Sequence, residues 1–216
     1  MDYGIIHKKP INNMISSIVD KIVLELSDLN FVERIGGIVR TLSENISNKD
    51  GTGNVLKTSP IYPNKSKVVC SPNDYLRMVP DSKYMSLIYF EELGTTIIQD
   101  TRNYIERAAI VRLIGWFNLP LINTSLTDAE ALANIILREI PDRMNNFDPV
   151  SNIQISVTGQ PIKDKNIFSK YSYDEVVRQY LIYPFDYFAI DLTIQYRTGK
   201  SCINDIELNP DECSVK

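Results

Sequence analysis

The stretch Phe188-Ala-Ile-Asp-Leu-Thr-Ile-Gln-Tyr-Arg197 decides the reading of this chain. Apolar side chains stand at every even position: Phe188, Ile190, Leu192, Ile194 and Tyr196. Ala189, Asp191, Thr193, Gln195 and Arg197 fill the odd ones. Side chains of a strand point alternately to opposite faces, so period two predicts a strand with one buried and one wet face. Full burial of the five even residues contributes about 7–15 kcal/mol before entropy, which marks a core strand.

Working back from it, Tyr183-Pro184 forces an extended entry, because the residue before proline is driven out of the helical region. Residues 173–181 predict a short helix and residues 160–170 a polar loop. Residues 153–157 alternate as a strand that ends at Gly159. Thr127-Asp-Ala-Glu130 spells a capping box, with Thr127 serving an orphan N–H and Glu130 reaching back. The helix it opens runs to Ile140 before Pro141, with Ala131, Leu132, Ile135, Ile136 and Ile140 on its apolar face. Residues 104–118 are apolar on both faces towards their end and read as a central strand, with a helix as the alternative. Residues 84–91 and 95–99 read as two strands of a hairpin turning at Gly94.

The N-terminal third begins with an amphipathic helix over residues 11–26. Ile11, Met14, Ile15, Ile18, Val19, Ile22, Val23 and Leu26 recur at steps of three and four, with Pro10 just before the start. A helix of this length is marginal alone in water and is expected to lie on the sheet. Residues 31–42 admit two readings, a strand broken by Gly36-Gly37 or a helix end followed by a strand. Residues 43–67 are polar and rich in Asn, Ser, Lys, Gly and Pro, and predict a long loop insertion with a turn at Asn48-Lys-Asp-Gly-Thr-Gly53. Lys67-Val-Val-Cys70 reads as a short strand, and residues 198–216 as a polar tail. The fold class expected is α+β: one domain over residues 1–216, mainly antiparallel sheet, an N-terminal amphipathic helix, a second helix packed on it, and long polar loops.

Composition bounds function more than it specifies it. The 216 residues are 44% hydrophobic and 23% charged, as in ordinary globular proteins. A net charge of −4 argues against a broad basic face that grips nucleic acid, though not against a ring through which DNA passes. No apolar run approaches the roughly 20 residues of a membrane span, and no secretory signal is expected at the N-terminus. Cys70, Cys202 and Cys213 lack framework spacing, so free thiols in a reducing compartment are expected; a Cys202–Cys213 pair is the alternative. With His7, the single histidine, they lack zinc-ligand spacing. Gly51-Thr-Gly53 reads as a turn, not a phosphate loop.

The best enzymatic constellation is a Mg²⁺ nuclease of the PD-(D/E)xK type, which needs a strand carboxylate beside an acidic-x-Lys triplet. Asp81-Ser-Lys83 supplies a triplet, but in a proline-flanked turn. Asp191 stands on a strand that no such triplet follows, so it reads as a solvent-face carboxylate among Thr193 and Gln195. No catalytic, cofactor-binding or metal residue is therefore assigned. The aromatics Tyr180, Tyr183, Phe185, Tyr187, Phe188 and Tyr196 have only Arg178 and Arg197 as basic flanks. They are expected to pack beneath a helix or form a subunit interface rather than stack on nucleic-acid bases.

The order of elements resembles that of tailed-phage head-to-tail connector proteins, of the tail-terminator or neck-ring type. The resemblance rests on the leading helix, the strand over 107–117, the capped helix and the Tyr183-Pro-Phe-Asp-Tyr-Phe-Ala-Ile-Asp-Leu-Thr-Ile-Gln195 region. Arg112-Leu-Ile-Gly-Trp-Phe-Asn-Leu119 is similar in texture to virion proteins of crAss-like phages. The resemblance implies a non-enzymatic virion protein forming a homo-oligomeric ring. Its partners would be other copies of itself and portal, adaptor or tail proteins, with genomic DNA passing through the channel unbound. No cofactor and no membrane are implied. A Mg²⁺ nuclease and a cytosolic ligand-binding or adaptor domain are the alternatives.

Overall fold

The computed structural model describes residues 14–47, 54–63, 75–147, 150–173 and 175–200. The quoted stretch lies in β9 (Phe185–Gly199), near the centre of a six-stranded sheet. The order of that sheet is β1 (Arg34–Ile38), β5 (Ser86–Asp100), β6 (Tyr104–Asn118), β9, β8 (Val150–Ile162) and β7 (Arg143–Met144). All contacts are antiparallel except β1–β5, so the sheet is mixed in an α+β fold. The even positions from Phe188 to Tyr196 are buried, as the alternation predicts.

Helix α1 (Met14–Ser27) buries Ile15, Ile18, Val19, Ile22, Val23 and Leu26. Helix α3 (Glu130–Glu139), which follows the single turn α2 (Leu119–Ile122), buries Leu132, Ala133 and Ile136. Both cover the face of the sheet carrying Phe90, Val111, Leu113, Phe117 and the even residues of β9. The far end of β9 is tied back to α1 where Thr198, fully buried, sets its hydroxyl 3.2 Å from Met14 Sδ. A second apolar cluster lies on the opposite face. There Leu87, Tyr89, Ile114, Trp116 and Ala189 meet Met78 and the segment from a 3-10 turn (Lys165–Phe168) to Tyr173. That segment leads into α4 (Glu175–Gln179), a short helix as expected.

Several local expectations are corrected. The polar stretch 43–67 is not a loop where it is described: β2 (Arg40–Ser47) pairs with β3 (Asn54–Pro63), and β3 with β4 (Tyr75–Arg77), in a separate three-stranded sheet. Polar side chains suit this small sheet because much of it is exposed, so its pattern carries no apolar stripe. The turn at 48–53 and the strand at 67–70 lie outside the described residues. Of the two readings at 31–42 the strand is the observed one, but Gly36-Gly37 do not break it: they lie inside β1, where the register shifts, and the interruption comes at Val39. Gly37 permits a close approach there: a Cβ would stand 2.5 Å from Asp20 Oδ1 and 2.9 Å from the Tyr62 hydroxyl, which itself donates to Asp20 at 2.8 Å.

Gly94 makes no hairpin turn. Strand β5 runs through it with register shifts at Glu92/Gly94 and Ile97/Gln99, and the reversal comes between Asp100 and Tyr104. A lone glycine inside a strand pattern fits a bulge as well as a turn. Strand β8 likewise continues past Gly159 to Ile162, with a shift after Thr158. The capping box fails. Thr127 is exposed, the N-cap is Ala129, and the helix opens where Ala129 N–H donates to Asp186 Oδ2 (2.7 Å) and Glu130 N–H to Asp128 Oδ1 (2.8 Å). Ala131 is exposed and Ala133 takes its place in the core. Thr198 and Gly199, expected in the polar tail, belong to β9, and the expected tail from 201 on lies outside the described residues.

Candidate functional site

Half-way along the second face a row of side chains crosses the sheet. Glu91 on β5 faces Arg112 on β6, Arg112 faces Asp191 on β9, and Asp191 faces Thr158 on β8. Arg112 grips Asp191 with two bonds, Nε to Oδ1 at 2.7 Å and Nη2 to Oδ2 at 2.9 Å. Glu91 is 3% exposed. Its carboxylate accepts a hydrogen bond from the Tyr171 hydroxyl and lies 2.5 Å from Lys170 Nζ. A carboxylate in that position is tolerated only because both oxygens have charged or polar donors.

Three phenols sit beneath the row. Tyr89 and Tyr171 meet edge to face at 6.5 Å, and Tyr171 stacks on Tyr173 at 6.1 Å. Burial, with the negative charge of Glu91 added, holds all three phenols protonated well above their ordinary range. The bond to Asp191 raises the Arg112 guanidinium further. The buried hydroxyls of Tyr89 and Tyr173 make no hydrogen bond of full geometry. The charged side chains of the row are paired, Arg112 with Asp191 and Glu91 with Lys170, and Tyr171 donates to Glu91. Chemically the arrangement is a clamp that holds residues 170–173 on the sheet.

Asp191 is thus half-buried and committed to Arg112, which corrects its reading as a solvent-face carboxylate. The Asp81-Ser-Lys83 triplet is not brought to it. Asp81 accepts from Lys83 N–H within its own turn (3.0 Å), and Ser82 O accepts from Asn118 Nδ2 (2.9 Å), level with Phe185. Six residues of strand, about 20 Å, separate that level from Asp191. Among the described residues no three His, Cys, Asp or Glu side chains are grouped to hold a metal. His7, Cys70, Cys202, Cys213 and Gly51-Thr-Gly53 lie outside the described residues.

The aromatics resolve mostly into packing. Phe185 stacks on Trp116 at 5.4 Å, Tyr180 meets both, Tyr187 sets its ring against Phe168, and Phe188 stacks on Phe117. Tyr183 alone stands out, 72% exposed beside Ile182. Sequence reasoning passed over Glu91, although Leu87, Tyr89 and Glu91 share one parity of β5, so an inward-facing acid could be read there. Lys170 and Tyr171 give no such sign, because they reach Glu91 from a non-regular segment.

Beyond the charged row nothing among the described residues covers the second face, and β5 is exposed at every residue from Glu92 to Asp100. Ile110 on β6 presents its side chain there, and Leu93, Ile97 and Ile98 are exposed along the same length of β5, Ile97 by 60%. No helix among the described residues is long and apolar enough to cross a membrane. Comparison with protein-family models, curated proteins and solved structures yields no match to this chain.

Proposed function

We propose that this chain is a structural subunit of a homo-oligomeric ring in the head-to-tail connector of a tailed bacteriophage. On this reading it is a virion protein that joins portal or adaptor to tail around the DNA channel and carries out no reaction. The observation that carries it is the distal half of the β5–β6 hairpin. Both strands are 15 residues long, β5 is exposed at every residue from Glu92 to Asp100, and Leu93, Ile97, Ile98 and, on β6, Ile110 are exposed apolar residues of this half. Apolar surface of this kind is what a partner subunit covers.

Two further features support the reading. The charged side chains of the middle row are paired with one another, which suits a rigid building block. The net charge of −4 suits a channel that lets DNA slide without holding it. The order of elements, with a leading helix and a helix between the second and last long strands of the sheet, is the one on which the resemblance to connector proteins rests. Electron microscopy of the native particle, with an antibody against this chain, tests the proposal. A labelled ring at the neck is expected; particles that lack the chain at the neck would end the reading.

A further inference from the structure

The six-stranded sheet has an open edge on each side, and the two edges match. On one side β1 pairs with β5 only as far as Phe90, after which β2 leaves to pair with β3. On the other side β7 pairs with β8 only at Ile153 and Gln154, with one more bond from Ile155 N–H to Asp142 O. Among the described residues no strand lies against the outer side of residues 93–99 of β5 or of residues 156–162 of β8.

Both edges are built in an unusual way for a protein that stays alone. Leu93-Gly-Thr-Thr-Ile-Ile-Gln99 and Ser156-Val-Thr-Gly-Gln-Pro-Ile162 contain no charged residue. Isolated proteins defend open edges with charges, above all lysine, and with prolines and bulges, because an unpaired row of N–H and C=O groups recruits another strand; here the charges are missing, and Pro161 stands only at the end of the β8 stretch. Here the exposed side chains are instead strand-forming, with Ile97, Ile98 and Val157 at 60%, 52% and 41% exposure. Bulges bend both edges but leave regular stretches, residues 94–97 in β5 and 154–158 in β8.

The strand directions complete the match. Three antiparallel steps, β5–β6, β6–β9 and β9–β8, make β5 and β8 run oppositely. Through β6 and β9, Gly94 stands level with Ser156 and Thr96 with Gln154, so the two open lengths are offset along the strands; a rotation about an axis inclined to the strands, which supplies that offset, would set β5 of one copy antiparallel to β8 of the next. The antiparallel ladder is the stronger arrangement. The two edges differ, so the contact is heterologous, and a heterologous contact that closes makes a ring.

We infer that residues 94–97 of one copy add as a strand to residues 156–158 of a second copy, continuing the sheet from subunit to subunit. This inference rests on the ring reading but is tested apart from it. Full-length Thr95→Lys/Ile97→Lys blocks one edge, and Ser156→Lys/Val157→Lys blocks the other. The altered residues are exposed, and circular dichroism with urea unfolding checks that each variant folds. Light scattering then gives the mass of the wild type, of each variant and of their equimolar mixture.

The wild type is expected to grow with concentration beyond a dimer. Each variant alone is expected to be monomeric, and the mixture to stop at a dimer, because one good β5 edge meets one good β8 edge. Hydrogen exchange should slow at both edges as the wild type assembles. A wild type that stays monomeric at every concentration overturns the inference, as do variants that assemble like the wild type. A dimer that survives only the β8 block also overturns it, since β5 would then pair with itself. A ring seen at the neck with these edges apart would sink the edge pairing and leave the ring reading standing. Edge-dependent assembly with no ring in any particle would do the reverse.

Discussion

Gly115→Ala is the sharpest test of how the core is packed. Gly115 lies on β6 between Ile88 of β5 and Phe188 of β9. An added methyl would stand 2.8 Å from Phe117 Cε2, 2.9 Å from Phe117 Cζ and 3.3 Å from Phe188 Cζ. Carbon atoms rest at about 3.5–4.0 Å, so the overlap is about 0.7 Å against a ring with little room to retreat. Phe117 is stacked on Phe188 at 5.2 Å and meets Phe31 edge-on at 6.2 Å. Overpacking of this kind costs about 1–3 kcal/mol. The loss of glycine freedom in the unfolded chain returns about 0.4–1 kcal/mol. A net loss of about 1–2 kcal/mol follows, which lowers a urea midpoint by about 0.5–1 M at a slope of about 2 kcal/mol/M. Trp116, the single tryptophan and fully buried, reports unfolding by fluorescence, and circular dichroism should trace the same transition. Gly115→Ala combined with Phe117→Leu should lose less than the two changes added separately. A midpoint at or above wild type, or strict additivity, would refute the packing argument.

Three other outcomes are expected. Glu91→Ala leaves the Tyr171 hydroxyl buried without its acceptor and should lower stability by about 2–3 kcal/mol, read by urea unfolding. Asp191→Asn should cost about 1–2 kcal/mol through the lost charge on Arg112; Mg²⁺-dependent cleavage by wild type that vanishes in this variant would overturn the proposed structural role in favour of the enzymatic reading. The buried phenols of Tyr89, Tyr171 and Tyr173 stay protonated in the folded state while unfolded tyrosine ionises near pH 10. The unfolded state then binds fewer protons, so their contribution is intact below about pH 10 and is lost as pH rises, by up to about 4 kcal/mol per unit for the three together. Thermal unfolding followed from neutral to alkaline pH should show that slope, and Tyr89→Phe/Tyr173→Phe should flatten it.

Where a segment is buried on one face, its residues disclosed its place. The alternation at 188–197, the three-and-four spacing of α1 and the two-sided apolar run ending β6 each follow from the surface they cover. The hairpin of β2 and β3 was hidden because strands in an exposed small sheet need no apolar face. The α3 cap was hidden for another reason: Asp186, its remote acceptor, stands 57 positions away in sequence. The charged row shares that difficulty. Arg112 and Asp191 are both visible as strand residues, but only the register of β6 on β9, two strands far apart in the chain, brings them face to face. Pairing of that range is decided by the whole fold.

The position of β9 also has a bearing on how the chain comes into being. The strand near the middle of the sheet is the last described one to be synthesised, and its partner β6 is made some ninety residues earlier, as the Glu106–Arg197 ion pair shows with its separation of 91. Until β9 emerges, β6 has β5 on one side and nothing on the other. Neither the apolar floor under α1 nor the seat of Trp116 is then complete. Contacts so distant in sequence form slowly, and exposed strand edges in the interval invite association. A nascent chain stalled before Phe185 would therefore present the long hairpin with its inner edge bare, and should be a substrate for chaperones rather than a half-built domain.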